Sequence, residues 1–220
     1  MRYPPSHKLA TRRRIVAAAS AAFREQGVAE TGLDDVMRRA GLTHGGFYSH
    51  FSDKSELIAE ACADAFEAAV PNLDRIASMP TAAQRARLLI DSYLAVRHRD
   101  NRGAGCLLVA VGADMARLRG SARTGYTQGF RRHLDRLCAA LRLDERPEEN
   151  RERVLRLLSS LVGALLLARA IDDESASTAM LASIRRQLRD EFCRESSKRA
   201  TSRPAPAGGF LPSHDFFLSV

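Results

Sequence analysis

Cysteine is sparse in this 220-residue chain, and none of it is paired in sequence. Cys62, Cys106, Cys138 and Cys193 lie far apart with no Cys-x-x-Cys pair. That spacing argues against a disulfide framework and a structural zinc site, and it fits a reducing, cytoplasmic compartment. Long hydrophobic runs are also missing. The N-terminal region carries Arg12, Arg13, Arg14 and Arg24 without a continuous apolar core, so no signal peptide is visible. The most apolar stretch, residues 157–168, holds Ser159 and Ser160 and is flanked by Arg156 and Arg169, which reads as a buried helix and not a membrane span. Lysine is nearly absent: Lys8, Lys54 and Lys198 are the only three among 34 basic residues. With the heavy alanine usage, that arginine bias fits a GC-rich coding sequence, so arginine content alone is not evidence for a nucleic-acid partner. There is no internal repeat and no convincing period-two alternation.

What is present is a globular composition, 45% apolar and 27% charged, long enough for one large or two small domains. The formal charge of +8 is compatible with an anionic partner. Half of that excess sits in residues 1–54, which hold nine Lys and Arg against five Asp and Glu.

Helical periodicity dominates, and the chain reads as all-α with about nine helices. Ile15, Ala18, Ala19, Ala22 and Phe23 mark a first helix from about residue 8 to 26, stopped by Gly27. A second runs from about 33 to 40, with Asp34 and Asp35 in its first turn, and Gly41 suits a left-handed C-terminal position. A short third helix follows from about 43 to 50. Ser52, with Asp53 behind it, is the expected N-cap of a long fourth helix, which Pro71 ends or kinks. Thr81 and Gln84 form a capping-box pattern for a helix running to about 98. Beyond it, Cys106 opens a short apolar helix, Phe130 to Leu141 lie on a longer one, and Pro147 and Asp173 precede the last two. Residues 196–220 are rich in Pro, Gly, Ser and basic groups and are expected to be a loose tail. The domain division expected from this reading is 1–54, 55–195 and the tail at 196–220.

Two short helices joined by a tight glycine turn and framed by longer ones form a helix-turn-helix. Val36, Ala40, Leu42, Phe47 and Phe51 are expected to face Ile15, Ala19 and Phe23. Thr43, His44, Gly45, Gly46, Tyr48, Ser49 and His50 are then left facing outward, small or hydrogen-bonding groups with no carboxylate among them. A helix that approaches a polyanion needs that absence of acids. Arg12 to Arg14 are either a solvated helix face or phosphate contacts.

The run from Leu33 through Met37, and from Ala40 to Leu57 with its Gly45-x-x-Tyr48-x-His50-Phe51-x-x-Lys54 core, resembles the TetR family of bacterial transcription regulators. With Ala22, Phe23 and Gly27 the resemblance covers about the first quarter of the chain. It implies a homodimeric regulator, more often a repressor, whose third helix enters the major groove of double-stranded operator DNA. Carried over by position, Thr43, His44, Gly45, Gly46 and Ser49 lie near bases and phosphates, Tyr48 and His50 bond phosphates, and Lys54 clamps one. The family's usual Ser or Thr before the second helix is Gly32 here, with Thr31 or backbone amides as the substitute.

The resemblance also implies a C-terminal domain that dimerises and holds a small-molecule effector. Leu155, Leu158, Leu161, Val162 and Leu165, with Ile184 and Leu188, have the spacing of a helix pair that packs on its copy, and Leu161, Val162 and Leu165 are expected to serve both core and interface. Tyr93, His98, Cys106, Met115, Tyr126, Phe130 and His133 are the candidate pocket residues, a mixture of apolar and polar groups suited to a ligand site. A second sensing mode is thiol modification at Cys106, which follows Arg97, His98, Arg99 and Arg102 and precedes a helix. No metal-ligand spacing, phosphate loop or nucleophile motif occurs, so no enzyme activity, metal or cofactor is expected, and no membrane association.

Overall fold

The computed structural model describes residues 5–193; the expected loose tail, with Phe210-Leu211 and Phe216-Phe217-Leu218, lies outside the described residues. Among those residues the chain is helical throughout, with no strand. The order is α1 (Pro5–Gln26), α2 (Leu33–Arg39), a 3₁₀ helix η1 (His44–Ser49), α3 (Lys54–Glu67), α4 (Val70–Ala77) and α5 (Ala82–Tyr93). It continues with α6 (Val96–Asp100), α7 (Leu107–Arg117), α8 (Gly120–Leu141), α9 (Pro147–Ala170) and α10 (Glu174–Phe192).

Local chemistry explains most of the boundaries. Gly41 takes φ +67, its N–H donates to the Arg38 carbonyl at 3.0 Å, and the Leu42 N–H donates to the Met37 carbonyl at 2.9 Å. Those two bonds are a Schellman ending, which only a residue tolerant of left-handed backbone closes without strain. Thr81 and Gln84 form the expected capping box of α5. At α3 the expected cap moves by one residue. Asp53, not Ser52, accepts the Glu56 N–H at 2.8 Å, while the Ser52 N–H and hydroxyl donate to the Glu56 carboxylate at 2.7 and 2.9 Å. Glu56 is held down to about 2, first by that Ser52 N–H, then by Arg12 and the Ser52 hydroxyl.

Two of the expected helices are divided. The fourth ends at Glu67 and restarts as α4 with Pro71 in its first turn, where a missing N–H costs nothing. The helix expected to run from 81 to 98 stops at Tyr93. The chain turns at the fully buried Leu94, and α6 then carries Arg99 inward to donate to Ser177 Oγ at 3.0 Å.

The core has two lobes. Ile15, Phe23, Met37, Phe47, Phe51, Leu57 and Ile58 pack with Leu107, Val111 and Met115 of α7, so packing runs across residue 54. Ile90, Leu94, Leu137, Leu141, Leu157, Leu161 and Leu181 make the second lobe, and Leu108 and Phe130 touch both.

The closest seam is between α3 and α8. A Cβ added at Gly125 would sit 2.7 Å from Ala59 Cβ, and one at Gly129 would sit 2.6 Å from the Phe66 ring. The four-residue spacing of these glycines is what lets the helices approach. Gly125→Ala is therefore expected to destabilise the protein by about 1 kcal/mol, overpacking of roughly 1–3 kcal/mol being offset by a helix-propensity gain of about 1 kcal/mol. Gly112→Ala, where an added Cβ meets nothing within 4 Å, is expected to stabilise instead. Urea unfolding of the two variants checks the opposite signs.

Candidate functional site

The helix-turn-helix presents its face because its inner side is locked. Phe47 is fully buried and stacks on Phe51 at 5.5 Å between ring centroids. The Arg12 guanidinium lies 4.0 Å above Phe51 and donates to Glu56 at 2.5 Å and, through Nε, to Glu60 at 3.1 Å. Arg14 donates to the Ala40 carbonyl at 2.5 Å. Two of the three consecutive arginines thus brace the motif from within the protein.

What faces outward is η1, whose backbone is 3₁₀ over its six residues. Thr43, His44, Gly45, Tyr48 and Ser49 are exposed, and Tyr48 is 65% exposed with its ring edge-on to Phe47 at 5.2 Å. Apart from this contact with Phe47 and an edge contact with His44 at 6.3 Å between ring centroids, this large aromatic stands in solvent. Gly46 is half-buried, with Met37 Cε 3.6 Å from where a Cβ would stand. The Ser49 hydroxyl donates to the Gly46 carbonyl at 2.7 Å. η1 itself carries no acid, but Asp34 of α2 stands 2.5 Å from His44 Nδ1. That carboxylate is an exposed neighbour which the reading of the third helix alone omits, and it orients the imidazole.

Three expected contacts are corrected or narrowed. Thr31 is fully buried and its hydroxyl donates to the Gly27 carbonyl at 2.6 Å, so it is no substitute phosphate donor for Gly32. Its place in the sequence says outward; the turn between α1 and α2 folds it under. Lys54 Nζ donates to the carbonyls of Thr31 at 2.7 Å and Val28 at 3.1 Å, which leaves one of its three N–H bonds for a phosphate. Half-buried His50 has its Nδ1 enclosed without a hydrogen-bond partner, and burial, then Lys8, Arg12 and His7, push its pKa below the usual imidazole value. Lys54→Ala is expected to cost about 1 kcal/mol of stability, since bonds from a charged donor are worth roughly 1.5–3 kcal/mol and solvent screens a half-exposed one. The shift in urea midpoint reads this directly.

A cavity of about 400 Å³ lies in the C-terminal region. Ala65 and Phe66 at the end of α3, Leu73 and Ile76 of α4, Leu137 of α8, and Leu158 and Leu161 of α9 give it apolar walls. Of the seven candidate pocket residues, Tyr93, His98, Cys106 and His133 line it. Met115, Tyr126 and Phe130 do not. Met115 is packed in the first lobe, Tyr126 leans on Phe66 at 5.8 Å between ring centroids, and Phe130 bridges the two lobes.

The polar groups of the cavity are distinctive. The Tyr93 hydroxyl and His133 Nδ1 are buried with no hydrogen-bond partner. Burial, then the adjacent Cys106 thiol, push the Tyr93 phenol well above its usual range. His98 Nδ1 donates to the Tyr93 carbonyl at 2.7 Å, since a carbonyl only accepts. Burial lowers the pKa of both His98 and His133, so both imidazoles are neutral at pH 7. Cys106 occupies the N-cap of α7, and of the cations expected beside it Arg97 and His98 line the same cavity whereas Arg99 points away. Arg99 turns to Ser177, Thr178 and Asp100, and Arg169 donates to the carbonyls of Arg99 at 3.0 Å and His98 at 2.9 Å.

Several contributors were missed at the sequence level. Arg24 of α1 lines the cavity and donates to the Gly103 carbonyl at 2.6 Å, and Asp114 of α7 accepts the Val28 N–H at 2.7 Å. Both tie the end of α1 to residues about eighty positions away, which no local pattern reveals. The Gly125-x-x-x-Gly129 spacing was a readable signal for the α3–α8 seam. On α9 the expected shared residues divide differently: Leu161 and Leu165 are fully buried, whereas Leu166 and Leu167 are 51% and 57% exposed. Half-buried Val162 and Gly163 share their face, and an added Cβ at Gly163 meets nothing within 4 Å. Among the described residues no group of side chains could hold a metal ion, and no helix is long and apolar enough to cross a membrane.

Comparison with known proteins agrees with this geometry. Residues 15–61 match the model for bacterial regulatory proteins of the tetR family. The chain is 48% identical over 48 residues to the HTH-type transcriptional regulator TtgR of Pseudomonas putida, a match covering 22% of this chain and 23% of TtgR. The match therefore covers less than a quarter of TtgR, and the same holds for the HTH-type transcriptional regulator AcrR of Shigella flexneri, 44% identical over 50 residues. The fold extends further. A TetR-family regulator from Agrobacterium tumefaciens superposes with a TM-score of 0.68 at 17% identity, covering 84% of this chain and 98% of that one. FadR from Bacillus subtilis, solved in complex with stearoyl-CoA, gives 0.61 at 16% identity over 80% of this chain and 96% of that one.

Proposed function

We propose that this chain is a regulator of the TetR family, whose model residues 15–61 match, and that it is a cytoplasmic, homodimeric transcriptional repressor released from its operator by a small molecule. It acts by binding and not by catalysis. Thr43 at the N-cap of η1 and His44, Gly45 and Tyr48 of its exposed face meet base edges and phosphates in the major groove, and Lys54 and Ser49 add backbone contacts.

The observation that carries this reading is α3. It begins at Lys54, directly after η1, and ends with Ala65 and Phe66 in the cavity wall. One rigid helix of 14 residues thus joins the two sites over about 20 Å. Gly125 and Gly129 hold it against α8 so closely that a ligand pressing on Phe66 tilts α3 as a unit. In a dimer whose recognition helices sit roughly 34–36 Å apart, a small tilt of each changes the spacing and lowers operator affinity. The dimer forms through the open face of α9, where Val162, Gly163, Leu166 and Leu167 meet their copies beside α10.

Binding to the DNA upstream of its own gene, measured over a salt series, tests the proposal. Steep salt dependence is expected, and Lys54→Ala is expected to reduce the slope by about 0.9, one phosphate contact. His44→Ala changes base preference, whereas Tyr48→Phe weakens all operators alike. Retention that is salt-independent, or equal on operator and random DNA, overturns the proposal.

A further inference from the structure

We propose that the cavity takes a compact, mostly apolar molecule bearing one anionic oxygen group, and that Arg24 of α1 supplies its counter-charge, a reading that rests on the effector role just assigned to this cavity. Three observations converge. First, the charged residues lining the cavity are all of one sign: Arg24, Arg75 and Arg97, with no aspartate or glutamate. A cationic ligand would meet guanidinium groups without a single carboxylate to balance it, whereas an anion is complementary. Second, the Tyr93 hydroxyl and His133 Nδ1 are buried, unpartnered and on the cavity wall. A phenol is a ready donor to an acceptor oxygen, and a neutral imidazole donates or accepts through its free nitrogen, so an oxygen-bearing ligand supplies both missing partners. Third, Arg24 is half-buried and pairs with no carboxylate among the described residues; Asp64 and Glu25 act on it only at longer range, and its Nε is held by the Gly103 carbonyl. The remaining guanidinium N–H groups are free for a ligand.

The volume of about 400 Å³ and the leucine and isoleucine walls set the rest of the ligand, a ring system or short branched chain. The choice of Arg24 has a consequence for signalling. It belongs to the first helix of the DNA-binding region, so an anion that draws its guanidinium inward competes with the Gly103 carbonyl and loosens a direct tie between α1 and the loop before α7.

Three naphthalenes of matched size test this on the full chain: 1-naphthoate, uncharged 1-naphthamide and 1-naphthylmethylammonium. The chain contains no tryptophan, so naphthalene emission is read without that background. The carboxylate is expected to bind one per chain, about tenfold or more tighter than the ammonium, and to release a labelled operator fragment. Arg24→Gln abolishes the preference for the anion and Arg24→Lys restores part of it. His133→Leu, checked for retained helicity, weakens all three probes but keeps their order. An ammonium that binds as well as the carboxylate, a preference unchanged in Arg24→Gln, or no binding by any of the three overturns the assignment. Operator retention by the unliganded chain is measured in parallel, so failure of the ligand class and failure of the regulator reading give different results.

Discussion

Replacing Leu166 and Leu167 together by arginine is expected to convert a dimer into a folded monomer with at least a hundredfold weaker operator binding. The two side chains are 51% and 57% exposed in a single chain, although their neighbours Leu161 and Leu165 are fully buried. Fully burying a leucine is worth roughly 1.5–3 kcal/mol, so covering the exposed half of each contributes about 1 kcal/mol. A twofold interface uses each residue twice, which gives about 4 kcal/mol from the leucines alone, or roughly a thousandfold in dimer affinity. Four arginines facing one another add repulsion and desolvation on top. Because neither leucine supports the monomer core, helicity by circular dichroism should be unchanged while light scattering reports half the mass. A variant that stays dimeric excludes this face as the interface. Leu161→Ala is the contrast: it lies in the second lobe at zero exposure, and its loss lowers the stability of the fold.

The second large effect separates two adjacent residues. Phe47→Ala is expected to cost about 3–5 kcal/mol, because it empties the space between α1, α2 and Phe51. Against a total stability of roughly 5–15 kcal/mol, that loss loosens the helix-turn-helix and removes operator binding. Tyr48→Phe, one position on, leaves stability within about 0.5 kcal/mol, as an exposed substitution should, and weakens DNA binding only through its lost hydroxyl. Thermal unfolding and operator titration of the pair distinguish the two roles. If Tyr48→Phe unfolds the domain, or Phe47→Ala leaves its stability intact, the assignment of inner and outer faces on η1 is wrong.

Much of the N-terminal architecture was legible because its causes are short-range. Gly41 closes α2 through bonds that reach back only to Met37 and Arg38, and Thr81 caps α5 through Gln84. Of the inward set, Ile15, Ala19, Phe23, Val36, Ala40, Phe47 and Phe51 followed from spacing and are buried, while Leu42 is half-buried against them. Thr31 and Lys54 show where that reasoning stops. Both are polar and beside the motif, and nothing nearby in sequence says that the turn after α1 buries the first and offers two carbonyls to the second. The cavity divides in the same way. Tyr93, His98, Cys106 and His133 had the right chemistry and meet there, whereas Met115, Tyr126 and Phe130 had the same chemistry on helix faces turned toward other neighbours.

By itself, then, the sequence determined where most helices begin and end, that the fold is helical, and which short run forms the helix-turn-helix. Those features rest on caps, glycine conformations and apolar periods that act within a few residues. The tertiary structure alone decided that Arg24 reaches the cavity, that Lys54 spends two of its three N–H bonds on the main chain, and that Leu166 and Leu167, not Leu161 and Leu165, are left open. Each of these depends on which helix faces meet across long stretches of chain, and that is settled by packing of the whole and not by any local pattern.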